Sequence, residues 1–142
     1  MNIAVKKDPK KNKLINPEYN RMINPTFNRM INPTFNRMIN PTFNRMINPK
    51  YNRMINPKFN LGFNGYYYFN LSSELLEFAI LENDIVHFYN EDCKTTKFGV
   101  KHSNKGFVIF DNDKKYIGHL ESNSGNGYNF FNLNEKWEGY LQ

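Results

Sequence analysis

Cysteine is almost absent from this chain: Cys93 is the only one among 142 residues, so no disulfide can close within it. Long apolar stretches are missing too. No run of about 18 apolar residues occurs, the least that a membrane-spanning helix needs. The segment from Met1 to Lys13 is basic and has no apolar signal-peptide core. Together these absences predict a cytoplasmic protein with no membrane partner. Acids are scarce in one half only. Residues 1–61 carry twelve basic residues against Asp8 and Glu18, whereas the remainder carries seven lysines against eleven acids. Such a division predicts that the basic half either docks on the acidic half or meets an external polyanion.

The usual arrangements of catalysis are lacking as well. His87, His102 and His119 fall on different predicted strands, and Cys93 falls in the polar turn of residues 90–95. A nucleophilic Cys-His pair needs those side chains together. No two histidines show a metal-ligand spacing, and Gly125-Asn126-Gly127 reads as a hairpin turn and not as a phosphate-binding loop. The expectation is a protein that is not an enzyme, with no cofactor, no metal site and no catalytic residue.

What is present is repetition. An eight-residue unit, Met-Ile-Asn-Pro-Thr-Phe-Asn-Arg, recurs without a slip from copies beginning at Leu14, Met22, Met30, Met38, Met46 and Met54, and the three copies from Met22 to Arg45 are identical. Identity at this level requires the same local conformation in each copy. Asn-Pro-x-Phe/Tyr is a turn signal, since proline presets φ and Asn bonds the backbone ahead of it. Proline every eight residues excludes a continuous helix. The second Asn of each unit suits a left-handed residue that ends a turn, followed by a short extended Arg-Met-Ile piece. One unit cannot fold alone. Burying its Met, Ile and Phe yields roughly 1.5–3 kcal/mol each, while ordering eight residues costs about 12 kcal/mol. The octads must stack on each other, pack on the rest of the chain, fold on a partner or stay flexible.

Beyond residue 65 the pattern alternates and is rich in aromatics, as in β-structure. Phe69-Asn70, Tyr89-Asn90, Phe110-Asp111 and Phe131-Asn132 each end an aromatic strand. A polar turn follows, then a second strand holding a small residue: Ala79, Gly99, Gly118 or Gly139. That residue lies nine positions after the Asn in the first two units and seven after the Asp or Asn in the last two. A difference of two preserves the side of the strand. The fold class is therefore mainly β: four tandem hairpins in a pseudo-fourfold domain, preceded by an octapeptide array of turns and short strands. The divisions are a basic tail at 1–13, the repeats at 14–61, a hinge at 62–65 and the β-domain at 66–142, with residues 62–142 expected to fold alone.

Over Tyr66 to Leu141, these four units of aromatic strand, Asn/Asp turn and Gly-containing strand resemble the four-fold β-flower domains of bacterial proteins; Ala79 departs from the pattern. The Ile-Asn-Pro-x-Phe/Tyr-Asn array is similar to octad arrays found ahead of small β-domains in bacteria. The resemblance implies a fold and a bacterial or phage origin, and it brings no catalytic residues.

Two binding patterns remain. The Asn-Pro-x-Tyr/Phe tetrad resembles the turn peptide read by phosphotyrosine-binding domains, although its perfect period favours a purely structural role. The second is a basic row, Arg21, Arg29, Arg37, Arg45 and Arg53, with an aromatic two positions before each and one closing the series: Tyr19, Phe27, Phe35, Phe43, Tyr51 and Phe59. Arginines beside aromatics suit phosphate contacts and base stacking. The expected function is that of an interaction protein with a multivalent basic arm and a β-domain head. Its partner is another protein, a further copy in a homo-oligomer or fibre, or a polyanion such as nucleic acid.

Overall fold

A computed structural model describes residues 12–142; most of the basic tail expected at 1–13 lies outside the described residues. In the array every octad makes two turns. Asn24 opens the first: its carbonyl accepts from the N–H groups of Phe27 and Asn28 (3.0 and 2.9 Å), and its Oδ1 accepts from Thr26 N–H at 2.9 Å. Asn28 opens the second, its Oδ1 accepting from Met30 N–H at 3.1 Å, so that Arg29–Ile31 forms one 3-10 turn. The same turn recurs from Lys13–Ile15 to Arg53–Ile55.

This corrects the extended Arg-Met-Ile pieces read from the sequence. The array contains turns and no short strands. The second Asn is not left-handed either: Asn28 has φ −112° and acts as an N-cap. A side-chain cap that satisfies the Met N–H makes a tight turn available to the next three residues.

Asparagine also joins the repeats. Asn28 donates its Nδ2–H to the Met22 carbonyl at 2.8 Å, and Asn32 donates to the Pro25 carbonyl at 3.1 Å. Equivalent bonds reach back six or seven residues at each link, through Asn56 to Pro49 and Asn60 to Met54. The first Asn of each octad thus uses its oxygen within its own unit and its nitrogen on the previous one, while the second uses its nitrogen within its own unit and its oxygen on the next. Aspartate lacks that donor.

The rest of the chain is an eight-stranded antiparallel meander: β1 (Tyr66–Asn70), β2 (Leu75–Glu82), β3 (Ile85–Tyr89), β4 (Thr95–Ser103), β5 (Gly106–Asp111), β6 (Tyr116–Ser122), β7 (Tyr128–Asn132) and β8 (Trp137–Leu141). β1 also pairs with β8, which closes the sheet into a barrel and removes its edges. The four hairpins are visibly one unit repeated. Asn70, Asn90, Asp111 and Asn132 each accept, at one Oδ1, the N–H groups two and four residues ahead. The residue three ahead (Ser73, Cys93, Lys114, Glu135) takes a φ of 62–64° in every turn.

Inside, Tyr68, Phe88, Phe107 and Phe130 pack with Val86, Ile109, Leu120 and Leu141. The small residues make room for them: a Cβ on Gly99 would lie 2.6 Å from Val86 Cγ1, and one on Gly139 would lie 2.9 Å from Tyr68 Cε1. The two-residue offset between unit pairs appears in the registers, where Gly99 pairs with Val86 but Gly118 with Ile109. In the longer hairpins the interior gains Glu77 and Lys97, whose ion pair (2.5 Å) lies with the ammonium 4.6 Å from the Phe88 ring centre.

A barrel strand with one face in solvent buries alternate residues, yet β3 is buried at every position and β5 at all but its last. The repeat layer accounts for this. Ile23 and Ile39, with Ile31 at the margin, pack on Ile85, Phe98, Val100, Val108 and Phe110 of the outer face. Ile55 joins Phe63, Phe78, Ile80 and Tyr89. The Tyr89 hydroxyl donates to the Ile47 carbonyl. Docking of the basic half on the barrel is thus achieved by isoleucines and not by charge.

Candidate functional site

With the isoleucines turned inward, the other long side chains of the octad face solvent. The methionines from Met22 to Met54 are 70–73 % exposed and the aromatics from Tyr19 to Phe59 are 54–63 % exposed. Each arginine lies over an aromatic ring of the next octad: Arg21 over Phe27 and Arg29 over Phe35 (4.6 Å to the centroid), Arg37 over Phe43 and Arg45 over Tyr51 (4.7 Å), Arg53 over Phe59 (4.8 Å). Lys13 takes the same place over Tyr19 at 5.0 Å. The pairing differs from the sequence expectation, which coupled each arginine to the aromatic two positions before it. The 3-10 turn that begins at the arginine and the turn after it fold the chain so that the ring six positions ahead comes beneath the guanidinium.

A cation over a ring face is worth about 0.5–1 kcal/mol at an exposed site. Here its main effect is to hold five guanidinium groups in one attitude, with their N–H edges free. None of the ion pairs among the described residues involves these five arginines. Glu18 is the only acid between residues 12 and 61. The outward face of the layer is therefore a regular basic ladder.

At Cys93, Asn56 Nδ2–H donates to the Sγ at 3.5 Å, and burial pushes the thiol up from its ordinary value. His102 and His119, on β4 and β6, do come together through Glu121, with Nε2 to Oε1 distances of 3.7 and 3.9 Å. Linear spacing did not show this. It depends on Gly106 on the intervening β5, where a Cβ would stand 2.8 Å from His102 Nε2. No group of three His, Cys, Asp or Glu among the described residues is placed to hold a metal ion.

His87 lies beneath the layer, 3 % exposed and hydrogen-bonded to the Ile39 backbone. Burial lowers its pKa from 6.5 to about 4, against the opposing pull of that bond. Between those values the unfolded chain binds a proton that the folded chain refuses. Stability is full above the unfolded value and is lost as pH falls to about 4, a loss of roughly 3 kcal/mol. Melts at pH 7 and at about pH 4.5 should differ by most of that amount, and His87→Phe should remove this part of the pH dependence. An unchanged difference in the variant would assign the acid sensitivity elsewhere.

No family model matches the chain, and comparisons with curated proteins and with solved structures find no match.

Proposed function

We propose that this is a non-enzymatic interaction protein whose repeat layer binds an extended polyanion, with nucleic acid as the ligand class to test. The supporting observation is the row of five ring-stacked guanidinium groups, evenly repeated and free of ion-pairing acids among the described residues. The barrel serves as the rigid support that orients the layer. Stacking has already restricted each arginine, so less rotamer entropy remains to be lost on contact. Several weak identical contacts on one scaffold then add as effective concentration. Since each ring has a guanidinium on one face, phosphate contact carries more of this binding than base stacking does.

Counterion release sets the expected behaviour. If five phosphates are neutralised, log affinity falls against log salt with a slope of about −4.5 on duplex DNA and about −3.5 on a single strand. Fluorescence anisotropy with labelled oligonucleotides over a salt series measures it. Each Arg→Gln change at Arg29, Arg37 or Arg45 should reduce the duplex slope by about 0.9. Absence of binding at low salt, or a slope indifferent to these changes, rejects the reading. The exposed methionine row favours a second reading, self-association through the layer, which light scattering of the full chain would reveal as concentration-dependent oligomers.

A further inference from the structure

The four Asn/Asp turns lie at one end of the barrel, and the β2–β3, β4–β5 and β6–β7 turns lie at the other with the chain entry at β1 and exit at β8. At this second end the β6–β7 turn, the start of β1 and the end of β8 surround a cleft of about 610 Å³. That size falls within the range of small-molecule sites, about 300–1,000 Å³, and barrel mouths are a usual place for them. Tyr66 and Tyr128 line the cleft and pack on the interior core below. Their rings meet edge to face at 5.8 Å, and Tyr128 is held in turn by Phe107 at 5.4 Å. The aromatic floor is thus fixed before any ligand arrives.

Its walls are equally constrained. Asn123 Oδ1 accepts from Gly125 N–H at 2.9 Å and draws the turn into shape. Gly127 permits a backbone approach to the Leu141 carbonyl that a Cβ would block. The chain of Gln142 is tied to Tyr67 by two backbone bonds of 2.9 Å. The polar residues that line the cleft carry amides and hydroxyls: Asn64, Ser122, Asn126, Gln142 and the two tyrosines, whose side chains are hydrogen-bonded to each other. None of the ten lining side chains is charged, although charged residues make up 23 % of the chain.

From this we infer that this mouth of the barrel is a binding site for a neutral carbohydrate. Ring faces contact the apolar C–H face of a sugar, and amide and hydroxyl groups pair with its hydroxyls without the desolvation cost of an ion. A charged ligand would find no side-chain counter-charge there, and a purely apolar one would leave the amides unpaired. The site is separate from the arginine row and does not depend on the polyanion reading. Binding here should be indifferent to salt.

The test is a titration of the isotope-labelled full chain with glucose, N-acetylglucosamine and cellobiose, followed by backbone amide shifts. Saturable shifts are expected at Asn64, Gly65 and residues 125–127 with at least one sugar, at millimolar affinity. Asn126→Ala and Tyr128→Phe remove one amide and one hydroxyl while keeping the floor in place. Each should weaken binding about tenfold with an unchanged melting temperature. Overturning results are an absence of shifts at these amides with all three sugars, shifts centred elsewhere, or an affinity unaltered by both changes. Tighter binding of glucuronate than of glucose would also overturn it, since that requires a cationic site.

Discussion

A chain beginning at residue 62 should melt far below the full-length protein, bind an apolar dye and self-associate. The layer covers Val108 and Phe110, which are 0 and 1 % exposed, together with Ile85, Phe98 and Val100. Baring five such side chains at roughly 1.5–3 kcal/mol each removes stabilisation on the order of 10 kcal/mol, which only the ordering cost of the lost array offsets. Circular dichroism and light scattering on both proteins measure the effect. The β-signal should persist in the short chain, because the interior core of Phe88, Ile109 and Leu120 is untouched. A short chain that is monomeric and melts with the parent would show that the layer contributes nothing to the barrel.

Within the layer, the expected order of two single changes follows from what each side chain touches. Ile39→Ala should cost about 2–5 kcal/mol, since Ile39 is 8 % exposed and packed on the barrel. Phe35→Ala, the larger truncation, should cost about 1 kcal/mol or less. Phe35 is 59 % exposed and its definite contact is the Arg29 guanidinium. From the octad alone both residues look like core. Thermal melts of the two variants beside the parent settle the order, and a Phe35→Ala loss equal to that of Ile39→Ala would mean that the rings are buried by contacts between molecules.

Much of the barrel was legible because its signals are local. An Asn or Asp that captures two N–H groups ahead of it fixes a turn, and a small residue opposite an inward ring fixes a register. The octad period showed the repetition in the same way, but not the conformation of the unit. Asn serves equally as the end of one turn and the cap of the next, and the sequence does not choose between them. The side of the octad that is buried depended on a surface elsewhere in the chain. One signal of that surface was present and differs from simple alternation: Ile85–Tyr89 and Phe107–Phe110 are nearly continuous apolar runs, as expected of strands covered on both faces. The arginine row was found by number, whereas its ring partners were not, since they lie across the fold between octads. The meeting of His102, His119 and Glu121 was invisible for a comparable reason, as it spans three strands and rests on one missing side chain.

The amide links of the array have a property that the barrel lacks. Every link has the same form, so a whole octad added or removed leaves each remaining link as it was. The length of the layer is therefore quantised in steps of one guanidinium. The barrel, by contrast, offers a finite circumference, and its anchoring residues from Ile85 to Phe110 serve only the copies that reach them. Copies beyond that surface would lose the isoleucine burial that offsets their ordering cost, and their isoleucine side would be open to a neighbour.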